Sequence, residues 1–136
     1  MSVVKELLRK EADGTISFGN HELEAKAKLE DFEHCGDLYK VKTYKTMTKL
    51  ERNGMFVYES VPGTSVSHYT ETADKITFLV EGTEDAQITL ELSEDTEYEV
   101  FINDTSIGKM KTNLGGKLNI SVELEGAGEV GVSIIR

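Results

Sequence analysis

Apolar and polar residues alternate along most of this chain. In HELEAKAKLE, Leu23, Ala25, Ala27 and Leu29 occupy one parity, and Glu22, Glu24, Lys26, Lys28 and Glu30 the other. Successive strand side chains point to opposite faces, so this spacing predicts a strand with one buried and one wet face. The same rhythm recurs in Ile76, Phe78 and Val80, in Ile88, Leu90 and Leu92, in Tyr98, Val100 and Ile102, and in Leu118, Ile120, Val122 and Leu124.

Turn residues punctuate these runs at Asp13-Gly14, Asn53-Gly54, Pro62-Gly63, Asn103-Asp104, Gly115-Gly116 and Gly126-Ala127-Gly128. Asn-Gly tolerates the positive φ that a two-residue hairpin loop demands at both central positions, so TKLER and MFVYE should pair around Asn53-Gly54. By the same reasoning Gly115-Gly116 is expected to close a hairpin between GKMKT and KLNIS, with Asn113-Leu114 able to lengthen its loop. About a dozen short strands predict an all-β fold, an antiparallel β-sandwich of jelly-roll-like or Ig-like type. Val4, Leu7, Leu8 and Ala12 fit helical spacing as well as strand spacing. The lack of a helix start favours a strand there, with one short N-terminal helix as the alternative. With a single proline and no repeat or linker, residues 1–136 read as one domain.

Charge narrows the partners. The chain carries 15 Lys/Arg and 25 Asp/Glu, a formal −10, and most of the excess lies after residue 60. Nucleic-acid binders need clustered cations to displace counterions, and anionic lipid makes the same demand, so nucleic acid and membrane surfaces are not expected partners. Cys35 is the single cysteine, which excludes an intrachain disulfide. MSVVKELLRKEADG lacks the apolar stretch of a signal peptide, so a cytoplasmic location is expected. On that expectation the sequons at Asn103 and Asn119 are features of turn and strand composition.

Candidate chemistry is sparse. GxSxG, phosphate-loop, GxGxxG and HExxH patterns are absent. His34, Cys35 and Asp37 form the most reactive-looking cluster, but adjacent strand residues diverge, so a turn at Gly36 would have to bring thiol and imidazole together. His21, His34 and His68 lack metal-ligand spacing, and no catalytic residue, metal or cofactor is expected. The carboxylates of SEDTEYE read as a solvated acidic face. GMFVYESVPGTSVSHYTE is different, being apolar at both parities. Double-sided burial explains that best and a subunit interface next. A ligand surface of flat rings and polar tips would use Phe56, Tyr58, His68 and Tyr69. Self-association through the strip from Met55 to Val61, or through edge strands, is a further expectation.

The final segment, Tyr98-x-Val100-x-Ile102-Asn103-Asp104, then Ile107-Gly108-x-x-x-Thr112 and Gly116-Lys117-Leu118-x-Ile120-x-Val122, resembles the last strands of β-sandwich accessory modules attached to glycan-degrading enzymes. Across nearly its whole length, through ADGTISFGNHELEAKAKLEDFEHCGDLYKVKTYK, NGMFVYESVPGT, DAQITLELSEDTEYEVF and TSIGKMKTNLGGKL, the chain resembles short proteins of anaerobic clostridia labelled endosialidase. The first resemblance implies a sandwich and the second implies action on glycans; neither brings a functional residue with it. Taken with the residues themselves, the expectation is a non-catalytic cytoplasmic module that binds a glycan or a protein. The alternatives are a glycan hydrolase working with a carboxylate pair and a self-assembling structural protein.

Overall fold

The computed structural model describes residues 3–136 and contains thirteen strands and no helix among them. The first seven are β1 (Leu8–Lys10), β2 (Ile16–Phe18), β3 (Ala27–His34), β4 (Asp37–Tyr44), β5 (Met47–Arg52), β6 (Met55–Val61) and β7 (Ser65–Glu71). The remainder are β8 (Lys75–Glu81), β9 (Ala86–Glu91), β10 (Glu97–Ile102), β11 (Thr105–Lys111), β12 (Lys117–Val122) and β13 (Val130–Ile135). They form two antiparallel sheets, ordered β1-β2-β7-β8-β13-β10-β11 and β12-β9-β6-β5-β4-β3. The fold is an all-β sandwich. Three nested pairs, β8 with β13, β9 with β12 and β10 with β11, fall alternately in the two sheets, which is jelly-roll connectivity.

Alternation decides the core. Ile76, Phe78, Val80, Ile88, Leu90, Val100, Leu118, Ile120 and Val122 are all buried between the sheets. At its centre Phe18, Tyr58, Tyr69 and Phe78 pack ring against ring, with centroids 5.1–5.9 Å apart, spacings at which aromatic edges and faces attract. On one side the sandwich is drawn together by Lys10 of β1, whose Nζ lies 5.8 Å from the centre of the Phe32 ring on β3. Among the described residues no helix is long and apolar enough to cross a membrane.

Several local expectations need correction. The N-terminal segment forms strand β1 only over Leu8–Lys10, and Leu7 takes a φ of 72°, so neither a helix nor a long strand exists there. HELEAKAKLE is strand only from Ala27 onward, and Ala25 is exposed, because β3 is an edge strand with a bulge between Leu29 and Phe32. The Asn53-Gly54 hairpin forms as the pattern requires: Arg52 pairs with Met55, and both turn residues have positive φ, 53° and 80°. Gly115-Gly116 closes no hairpin. β11 pairs with β10 and β12 pairs with β9, so residues 112–116 arch from one sheet to the other. The hairpin in that region turns instead at Asn103-Asp104. A glycine at 116 answers to packing as well as to its φ of 79°, since a Cβ there would overlap the Leu92 carbonyl.

Candidate functional site

The four residues that the pattern offered as a ligand surface do not share one. Tyr58 is 0% exposed and Tyr69 4%, both within the aromatic core. The cause is a bulge in β6: Leu50 pairs with Tyr58 but Glu51 with Phe56, so Val57 is the extra residue and Val57 and Tyr58 both turn inward. Phe56 lies half-buried on the other face, beneath the Lys117 ammonium at 5.3 Å. The strip from Met55 to Val61 is therefore not a continuous apolar surface. Its two ends are exposed, Met55 at 67% and Val61 at 54%, but its middle belongs to the core. β6 is also paired on both edges, with β5 and β9.

His68 alone of the four stands in the open. β7 is bulged between Ser67 and Thr70, and His68 sits in that bulge at a φ of 53°, between the inward-facing Val66 and Tyr69. Its Nδ1 lies 3.0 Å from Asp13 Oδ2 and 3.2 Å from Thr15 Oγ1. Asp13 is fixed in turn, accepting from Thr15 N at 3.0 Å and Thr15 Oγ1 at 2.6 Å. These bonds from Thr15, and then His68 itself, hold the Asp13 carboxyl below its ordinary pKa. A carboxylate at Nδ1 places a proton on that nitrogen, so the neutral ring keeps Nε2 as an acceptor.

The ring borders a groove of about 450 Å³ on the outer face of the seven-stranded sheet. Thr77, Leu79, Gly131 and Ser133 floor it, as the cross-strand pairs Leu79–Gly131 and Thr77–Ser133 of β8 and β13. Asn103, Asp104 and Glu129 stand at its rim. Asn103 is held there by its own turn, its Oδ1 accepting from Gly131 N at 2.8 Å. The groove thus offers hydroxyls, carboxylates and one oriented imidazole over a floor dipped at Gly131. Volumes of about 300–1,000 Å³ are usual for small-ligand sites.

A second concave region lies at the end of the sandwich. Arg52 of β5 and Glu71 of β7 bridge the sheets at 2.9 Å and stand between two hollows of about 320 and 200 Å³. His34, Cys35 and Asp37 line the smaller one. Cys35-Gly36 is a two-residue hairpin turn with φ of 52° and 83°, and it brings Cys35 Sγ within 3.5 Å of His34 Nε2, the approach that a regular strand would forbid. His34 Nε2 also faces the Gly14 carbonyl at 3.1 Å, and the thiol is exposed.

Two polar features carry no local signal in the sequence. Thr64 anchors a buried chain of hydroxyls: Tyr58 Oη and Ser60 Oγ each lie 2.7 Å from its Oγ1, while its carbonyl accepts from Thr48 Oγ1 at 2.8 Å and Thr48 meets Thr43 at 2.8 Å. His21 is buried, with Nδ1 2.7 Å from Ser65 Oγ and no partner for Nε2; burial lowers its pKa. Asp13 and Thr15 were visible only as a turn, and their contact with His68 spans more than fifty residues. Among the described residues no group of three or more potential metal ligands converges.

Compared with protein-family models, curated proteins and solved structures, the chain matches none.

Proposed function

We propose that this chain is a non-catalytic binding module of the cytoplasm that seats a glycan in the groove beside His68. The observation that carries the proposal is the fixed imidazole. Asp13 and Thr15 engage Nδ1 and orient the ring, so that Nε2 and the ring face are offered beside the hydroxyls of Thr77 and Ser133. Polyhydroxylated ligands are matched by such alternating donors and acceptors next to a flat, amphipathic ring. The cytoplasmic assignment rests on the lone cysteine, Cys35, which allows no intrachain disulfide.

The second reading, a glycan hydrolase with paired carboxylates, is favoured by Asp104 and Glu129 bordering the same groove. A glycan array followed by calorimetric titration separates the two. The proposed module binds without releasing new reducing ends, and His68→Ala or Gly131→Val, the latter filling the floor, weakens binding at least about tenfold while circular dichroism is unchanged. Binding that survives both substitutions overturns the site, and reducing-end release abolished by Asp104→Asn moves the assignment to the hydrolase.

A further inference from the structure

We infer that a row of lysines on the outer face of the six-stranded sheet is a self-association surface that receives the acidic end of a second copy of this chain. The row is a product of register. Lys28 of β3 pairs with Lys42 of β4, and Lys42 pairs with Lys49 of β5, so three lysines occupy neighbouring positions across three strands. Directly opposed side chains have Cβ atoms about 4.5–5.5 Å apart, and like charges so placed are destabilising. Lys40 adds a fourth on the same face of β4, and Lys26 lies over the Tyr44 ring at 5.7 Å.

The sheet's own carboxylates offset only the margins of this row. Glu30 lies 3.6 Å from Lys28 and 3.8 Å from Lys40, and Glu51 lies 3.5 Å from Lys49. Among the described residues no carboxylate is within ion-pair distance of Lys42, the central member. In a chain of net charge −10, a row of cations whose central member, Lys42, has no ion pair is a surface suited to an anionic partner.

The same chain supplies one. The β8–β9 and β12–β13 connections carry the exposed Glu84, Asp85, Glu123 and Glu125. Asp85 Oδ1 ties the two loops together, accepting from Leu124 N at 3.0 Å and Glu125 N at 3.2 Å. No lysine or arginine occurs in residues 76–108 or 118–135, so this end has no cation from either segment. The ion pairs of the lysine row are made with Glu30 and Glu51 and leave these loops to another molecule. Net repulsion between two copies is screened beyond the Debye length, about 8 Å at physiological salt, while groups in contact still feel one another. An end meeting a face joins two different patches, and such a contact need not close on itself but adds copies in open chains.

Sedimentation velocity on the full chain tests this. At about 0.15 M salt, where the net repulsion is screened, the weight-average sedimentation coefficient should rise with protein concentration. That rise should vanish at about 1 M salt, where the Debye length falls to about 3 Å. The double variants Lys42→Gln/Lys49→Gln and Glu84→Gln/Glu123→Gln should each associate at least about tenfold more weakly, with wild-type circular dichroism. Mixed in equal amounts they should form a one-to-one dimer that grows no further, since one retains only the acidic end and the other only the lysine face. A wild-type chain that stays monomeric at about 0.15 M salt overturns the inference, and if that monomer binds poly-glutamate the row belongs to a different acidic partner. Failure of the folded variants to pair when mixed overturns it as well.

Discussion

Arg52 and Glu71 meet at 2.9 Å across the gap between the two sheets, at the end of the sandwich where two hollows adjoin. Both side chains are about three-quarters buried, and Glu71 also lies 3.4 Å from Tyr69 Oη. A double-mutant cycle with Arg52→Gln and Glu71→Gln should give a coupling of about 1 kcal/mol that shrinks with salt, as for a partly exposed ion pair. A coupling indistinguishable from zero would show that packing alone holds this end closed.

The buried hydroxyl chain should be worth more. Thr64→Val removes the Oγ1 that serves both Tyr58 and Ser60 and leaves two buried hydroxyls short of a partner. Each such group costs about 1–3 kcal/mol, so denaturant unfolding should report a loss of about 2–6 kcal/mol, with Thr64→Ser close to wild type. A loss in Thr64→Ser with none in Thr64→Val would mean that the γ-methyl group matters and the hydroxyl does not.

His21 sets a pH dependence. Its folded pKa lies below the ordinary 6.5 because burial disfavours the imidazolium, with Glu22 and Glu81 pulling weakly the other way. The unfolded chain therefore binds the extra proton first as pH falls through about 6.5, and stability is full above that value and declines below it. Asp13 and Glu11, whose folded pKa values are lowered, contribute stability that is lost only further down, as pH falls below the ordinary carboxylate values of 3.8 and 4.5. Thermal unfolding of wild type should thus weaken between pH 7.5 and about 5.5 relative to His21→Gln. Parallel curves for the two proteins would remove His21 as the cause.

Cys35, at the tip of the β3–β4 hairpin, should react stoichiometrically with a maleimide in the native protein, without denaturant. Cys35→Ser should leave stability within about 0.5 kcal/mol, as expected for an exposed turn. Labelling that needs unfolding would contradict the exposed position.

The alternation of apolar and polar residues was enough to determine that the chain forms strands and which side of most of them is buried, because a period of two is a property of each strand alone. Asn53-Gly54 likewise specified its hairpin locally, through the positive φ that both residues tolerate. What sequence could not decide was which strands pair. Residues 102–124 carry the same local signals whether GKMKT joins KLNIS or, as here, the two strands part to opposite sheets; only the competition among all the strands for partners settles it. Bulges escaped for a related reason. One extra residue at Val57 turns Tyr58 into the core, and another turns His68 out of it, yet each arises from a mismatch with a neighbouring strand that the segment itself does not encode. The candidate site depends on the second of these, together with Asp13 and Thr15 arriving from a turn more than fifty residues away. The lysine row is a cross-strand alignment in the same sense: Lys28, Lys42 and Lys49 become neighbours only once three strands have fixed their register.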